Sequence, residues 1–370
     1  MMRLCTIAAT LGLGVMGLTA YAAGPETPLG IVTFVNPAQP PSYRLLDETQ
    51  GARVAFGQSV FDTQWVARGS PGADGVGRRE GLGPLYNATA CATCHPGGAR
   101  GQGPTGDGPA PHALEIQLEL PGNAGAGDPV YGHVFNTSAL DGVVPEGTVT
   151  IRYSEIYGYY YPDGIRWQMR QPHYELGLRR GPLTPITIIK PRMAPALFGV
   201  GLLEAVQKAA VGNESGLTGR FGWQEESVSV RDQTARAFSR EMGVTSDDRP
   251  NDDCTPAETD CVLQARSASG SPEVPEELLA AVVAFAQELA VPSSSAHPKN
   301  ATLGSELFVA IGCAGCHRPR QPVELSGENG ARVSGFIAPY TDLQLHDLGV
   351  GMADENAAGA KVASKWRTAP

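Results

Sequence analysis

Cys91-Ala92-Thr93-Cys94-His95 reads C-x-x-C-H, and the pattern returns as Cys313-Ala314-Gly315-Cys316-His317. Two thiols three positions apart can each form a thioether to one porphyrin, and the adjacent histidine then reaches the iron as proximal ligand. With 7 Cys and 7 His among 370 residues, chance repetition of the full pattern is remote. Two chemical rivals remain: a structural zinc held by both C-x-x-C pairs, or a redox-active dithiol. Zinc leaves unexplained why a histidine directly follows each pair, and a dithiol needs neither the histidine nor the repetition. The residues therefore predict two covalently bound haem c groups. One is attached through Cys91 and Cys94 and the other through Cys313 and Cys316, with His95 and His317 as proximal iron ligands.

Such attachment suits an exported protein, and the N-terminus fits one. Arg3 supplies a short positive region, Leu4 to Ala20 is apolar or small apart from threonines, and Ala20-Tyr21-Ala22 offers an A-x-A cleavage site. Residues 1–23 therefore read as a signal peptide rather than a membrane span. Cys5 lies at the front of the apolar run rather than at its end, which argues against a lipoprotein anchor. Its removal leaves six cysteines, the four of the motifs plus Cys254 and Cys261. This last pair lies in a polar loop and is a candidate disulfide, the rival reading being two free surface thiols. No later run is long enough to span a bilayer, so the expectation is a periplasmic chain with no membrane span. The net charge of −10 argues against nucleic acid as a partner. Glycine (46) and proline (30) are abundant while charged residues make up 18%, which favours long ordered loops wrapped around something.

In chain order, a Pro-rich lead (Gly24 to Ser42) precedes a predicted helix over Val54 to Ala67, a glycine-rich loop (Gly69 to Gly83) and the first motif. Thr148 to Tyr153 alternates and is β-rich. Tyr157 to Tyr161 runs into the turn Pro162-Asp163-Gly164, Ile165 to Met169 follows as a return strand, and Thr184 to Lys190 is a second extended run. The tyrosines suit a hairpin face, or a relay for electrons or radicals. Helices are predicted over Ala196 to Ala210, Val228 to Met242 and Pro275 to Leu289. In the last, Leu278, Val282, Phe285 and Leu289 share one face. The fold class expected is mainly α with long loops: two cytochrome c-like haem domains, the first with a small β-insert, the second incomplete. The boundaries are 24–292 for the first domain, its insert at about 130–195, a linker at 293–303, and 304–370 for the second.

Gly304 and Phe308 stand four apart before Cys313, as Gly57 and Phe61 do upstream of Cys91. This is a weak internal repeat of helix, motif and long loop. Cytochrome c folds close with a helix packed across the first one. In the first half Glu276 to Leu289 can supply it, and the second half shows no equivalent before Pro370. That reads as a truncated chain.

Several stretches resemble the di-haem oxidoreductase family, whose members are described as peroxidases or thiol oxidoreductases. They are the two C-x-x-C-H motifs; Pro191-Arg192-Met193-Ala194-Pro195 leading to Gly199-Val200-Gly201-Leu202-Leu203-Glu204-Ala205; and Arg220-Phe221-Gly222-Trp223. Met242-Gly243-Val244-Thr245-Ser246, Pro339-Tyr340-Thr341-Asp342-Leu343 through His346-Asp347, and Trp366-Arg367-Thr368 complete the set. The resemblance implies a pair of haems in which one stores or delivers an electron while the other cleaves the O–O bond of a small oxidant such as peroxide. A small redox protein or other electron donor or acceptor is then the partner. Family members continue past the Trp-Arg-Thr element, which agrees with truncation.

The sixth iron position decides function. A strong ligand there makes an electron-transfer haem, and an open one admits a small molecule. Candidates are His112, His133, His173, His297 and His346, with Met169, Met193 and Met352. His346, in the Tyr340 to Asp347 stretch, is the first choice and the candidate catalytic residue; the plain alternative is a hydrogen-bonded structural histidine. Met193 also reads as core. Arg192 suits a haem propionate or a structural ion pair. Two functions stay open: a di-haem oxidoreductase, or a di-haem cytochrome that only carries electrons.

Overall fold

A computed structural model describes residues 46–71, 78–122, 125–160, 163–206, 219–267, 272–291, 298–326 and 332–370. Residues 1–23, the Pro-rich lead and His297 lie outside these. Helices cover Glu48–Asp62 (α1), Cys91–Cys94 (α2), Val200–Glu204 (α3), Val230–Met242 (α4), Thr259–Ser267 (α5), Glu276–Glu288 (α6) and Pro298–Ala310 (α7). The first helix starts six residues before its predicted position because a capping box fixes it there. Asp47 accepts from the Gln50 N–H at 2.8 Å, and the Gln50 side chain accepts from the Asp47 N–H at 3.3 Å. It also ends earlier, so Trp65 falls in the strand Gln64–Val66 and is buried.

Helices α1 and α6 cross at Gly57. A Cβ there would lie 1.9 Å from the Ala281 carbonyl oxygen, so only hydrogen fits between the two backbones. One turn on, Phe61 and Phe285 meet with ring centroids 5.1 Å apart. Helix α4 is capped by Ser229, which accepts from the Asp232 N–H at 3.0 Å, and is ended by Gly243 at φ 60°. Its Phe238 packs edge-on to Trp65 with centroids 5.7 Å apart. These helices, with Leu202, Leu203 and Val206, form the main apolar core, and Val323, Ile337 and Leu343 from the second half are buried in it.

The mainly α expectation is corrected: helix makes up 27% and strand 29%, with the strands spread over several sheets. The hairpin foreseen around Pro162-Asp163-Gly164 is present but longer. Gly147–Tyr160 pairs antiparallel with Arg166–Leu178, from Gly147 opposite Leu178 to Tyr160 opposite Arg166. Leu114–Glu119 is a strand that the sequence reading passed over. Its L-E-I-Q-L-E alternation puts Leu114, Ile116 and Leu118 inward and leaves the polar residues between them partly exposed. It pairs with Ile188–Met193 in a four-stranded sheet, whose other members are Asp354–Asn356 and Lys361–Ala363. A long loop was expected after the second motif. There, Gln321–Ser326 pairs with Arg332–Ile337, and Leu345–Asp347 with Lys365–Arg367. The last two are three residues each, too short for alternation to reveal them.

Helix α7 is exposed over much of its length, with Leu303 and Leu307 at 58% and 52%, and Ile311 just past its end at 73%. Cys254 and Cys261 are joined in a disulfide with Cα atoms 5.7 Å apart, tying the start of α5 to the preceding loop. No helix among the described residues is long and apolar enough to cross a membrane.

Candidate functional site: two histidine-anchored motifs

The first motif is a single helical turn, α2, with the His95 N–H donating to the Cys91 carbonyl at 3.0 Å. The His95 ring is aimed by a distant segment: its Nδ1 lies 2.8 Å from the carbonyl oxygen of Pro195, just beyond the strand Ile188–Met193. An Nδ1–H held by a carbonyl fixes the tautomer and leaves Nε2 with its lone pair free for a metal. Burial holds the His95 pKa below the ordinary imidazole value, which favours that neutral form. Burial pushes both thiols, Cys91 and Cys94, up to about 12, with the Glu241 and Glu115 carboxyls adding to the effect at Cys94. A redox dithiol works through a lowered thiol pKa, so this environment speaks against that rival. The Cys94 thiol donates to the His112 carbonyl at 3.1 Å, and His112 Nδ1 lies 3.1 Å from the Asn87 carbonyl.

The second motif repeats the arrangement with different residues. Gly312, at φ 87°, starts a 3-10 turn over Cys313–Gly315, and the His317 N–H donates to the Cys313 carbonyl at 2.9 Å. His317 Nδ1 lies 2.9 Å from the Tyr340 carbonyl oxygen, again freeing Nε2. Phe308 from α7 stands edge-on to both rings, with centroids 6.2 Å from His317 and 5.6 Å from Tyr340. Asp342, 2% exposed, holds His346 Nε2 at 2.9 Å, and this turns His346 Nδ1 toward Cys316 Sγ, 3.9 Å away. Cys316, Asp342 and His346 form a group compact enough for a metal ion. The two C-x-x-C pairs do not join in such a group among the described residues, as a shared zinc would require.

The other candidates are placed elsewhere. Both ring nitrogens of His133 are engaged, Nδ1 with Asp253 at 2.5 Å and Nε2 with the Gly125 carbonyl at 2.8 Å. His173 pairs with the Ser154 hydroxyl at 2.7 Å on the exposed hairpin, where Met169 also lies. Met193 packs partly buried against the β-region core, and Met352 is exposed. Arg192 takes the structural alternative: it is 2% exposed and binds Asp354 through both guanidinium nitrogens at 2.9 and 2.7 Å, with the Trp366 ring 4.3 Å away. Of the sixth-position candidates, the structure thus brings His112 to the first motif and His346 to the second. Sequence reasoning missed Asp354, and it missed the Glu115–Glu241 pair beside Cys94. Burial and the Glu115 carboxyl raise Glu241 well above the usual carboxylate range. The only advance signal for that pair was a glutamate alternating with Leu114 and Ile116.

The donor set at each motif is thus two thiols and an imidazole held at Nδ1 by a backbone carbonyl, the set a covalently held haem uses. These residues fit the group: Cys91, Cys94 and His95 would hold one, and Cys313, Cys316 and His317 the other. The family described as "Di-haem oxidoreductase, putative peroxidase" matches residues 202–370, a span that contains the second motif and follows the first. No curated protein and no solved structure matches the chain. The chain's likeness to the di-haem oxidoreductase family thus lies over residues 202–370.

Proposed function

We propose that the chain is an exported, periplasmic di-haem c-type oxidoreductase of the peroxidase kind, taking electrons from a small redox protein and reducing a small oxidant such as peroxide. One observation carries this reading. Two motifs of independent sequence context each present a histidine whose Nδ1 is fixed by a backbone carbonyl, at 2.8 Å and 2.9 Å. The family match over residues 202–370 supports the reaction class. A haem bound at each motif supplies one-electron redox chemistry and, where its sixth position is open, a place for the oxidant.

The chain's own residues do the rest. The four cysteine sulfurs hold the groups covalently, and the Pro195 and Tyr340 carbonyls keep the two imidazoles oriented. His346 is the candidate proton-handling residue. Asp342 accepts its Nε2–H, so Nδ1 can accept a proton beside the second motif and return it. The alternative is a cytochrome that only carries electrons. It is favoured by His112 and His346, one beside each motif: the His112 carbonyl accepts from the Cys94 thiol, and the His346 imidazole lies 3.9 Å from Cys316 Sγ.

Two measurements test these readings. Mass analysis of the denatured holoprotein should show two covalent haems, and one after Cys91→Ala with Cys94→Ala; an unchanged mass for the double variant refutes covalent attachment there. The electronic and EPR spectra should show one high-spin iron that binds cyanide. Two low-spin, ligand-inert irons would establish the electron carrier instead.

A further inference from the structure

We propose that Gln321 and Thr341 are positioning residues of the second motif, and that through one turn they aim His317 and His346 together. This rests on the haem reading of that motif given above. The turn is Tyr340-Thr341-Asp342, and each of its residues ends on a different group. The Tyr340 carbonyl meets His317 Nδ1 at 2.9 Å, and the Asp342 carboxylate meets His346 Nε2 at 2.9 Å. Between them, the Thr341 carbonyl accepts from the Gln321 side-chain amide at 2.8 Å. The Thr341 hydroxyl donates to the Thr368 carbonyl at 2.5 Å and accepts from the Leu343 N–H at 3.0 Å. The middle residue is thus tied down three ways, and the two imidazoles hang on its neighbours.

Three observations separate this from ordinary packing. Gln321 and Thr341 are 1% and 0% exposed. A buried amide is unfavourable unless its hydrogen bonds are made, and an apolar side chain would fill the same space without that penalty. Gln321 forms the end pair of its strand, opposite Ile337, and its side chain carries the bonding past the end of the ladder to Thr341. The turn is also strained. Tyr340 and Leu343 stand at φ 52° and 58°, a region that bulky side chains seldom adopt and that persists only where the surroundings over-determine it. At the first motif backbone bonds play this part: Ala194, just before Pro195, donates to the Ala113 carbonyl at 2.8 Å and accepts from the Gly101 N–H at 3.0 Å. Residues 338–344 lie outside the strands, so side chains hold here what the sheet holds there.

A hydrogen bond at Nδ1 sets how strongly the imidazole donates to a metal, and a weaker donor stabilises the oxidised iron less. The test is a redox titration of the holoprotein, with EPR of its two irons. Gln321→Leu removes the amide donor at nearly constant volume. It should raise one midpoint potential, by about tenfold in the redox equilibrium or about 59 mV, and leave the other in place. The EPR lines of that same iron should spread, because its imidazoles no longer hold one orientation. Thr341→Val should act in the same direction, and Thr341→Ser, which keeps the hydroxyl, should restore the native potential and lines. This second pair decides the matter if Gln321→Leu does not fold. A structural role alone would lower the unfolding midpoint and leave both potentials and both EPR signals unchanged in the folded variants, and that result overturns the proposal. So does an equal shift of both potentials. A native protein with no covalent haem at Cys313 and Cys316 by mass overturns the haem reading itself, and is recognised before any variant is made.

Discussion

Glu146 and Glu258 share a site that water does not reach, at 1% and 0% exposure. Glu146 accepts the Asn136 N–H and Glu258 the Thr255 N–H, and Arg180 lies 3.3 Å from Glu258 while also binding Asp260. Asp253 and Tyr131 complete the surroundings of Glu146. One arginine faces three carboxyls, and burial, followed by the Glu258 charge, raises the Glu146 pKa well above the carboxylate range. The folded chain therefore keeps a proton that the unfolded chain releases. That stability is complete below the unfolded glutamate pKa of about 4.3 and is lost as pH rises through the folded value, by up to about 1.4 kcal/mol per pH unit. Melting temperature followed against pH should fall over that range, and Glu146→Gln should flatten the fall; an identical slope in the variant refutes a proton held there. At this scale the sequence was legible where chemistry demands a fixed spacing, as in Cys91 to His95. It was not legible for Arg192, His133 or Glu146, whose partners Asp354, Asp253 and Glu258 lie more than a hundred residues away. Nothing local distinguishes a buried acid from an exposed one.

Among elements, the crossing of α1 and α6 is set by Gly57. Its counterpart on α7, Gly304, faces open space, with nothing within 4 Å of the point where a Cβ would stand. The two glycines should therefore respond oppositely to alanine. Gly57→Ala must push the helices apart and should destabilise by about 1–3 kcal/mol despite better helix propensity. Gly304→Ala should be neutral or should stabilise by roughly 0.5–1 kcal/mol. Thermal or denaturant unfolding of the two variants decides this, and equal destabilisation would show that α7 is covered at Gly304. The helices were readable because Leu278, Val282 and Phe285 repeat at helical spacing, and the long hairpin because Pro162-Asp163-Gly164 punctuates it. The mainly α expectation failed on strands whose partners are remote. Leu114–Glu119 had clear alternation but no neighbouring hairpin signal, and Asp354–Asn356 is a three-residue strand made by its pairing with Ile188 and Ile189.

For the molecule as a whole, the Arg192–Asp354 pair is the lock between early and late chain. Asp354→Ala leaves a buried guanidinium without its carboxylate and should cost about 3–5 kcal/mol, visible as a lower denaturation midpoint. A loss within the range of an ordinary surface substitution would show that the late strands contribute little to the fold. The stretches that resembled the di-haem family were legible one by one as text. Their convergence was not, because Pro191 to Pro195, Arg220 to Trp223 and Trp366 to Thr368 meet only through contacts such as Trp223 Nε1 on the Met193 carbonyl at 3.0 Å and Arg367 Nε on the Gly222 carbonyl at 2.9 Å. The four-stranded sheet also imposes an order of events on biosynthesis. Once Ile188–Met193 has paired with Leu114–Glu119, its far edge must wait for Asp354–Asn356, roughly ten to thirty seconds later at ordinary rates of synthesis. During that interval the nascent chain presents an open strand edge and an uncompensated Arg192, so a holding chaperone has both a reason and a place to bind.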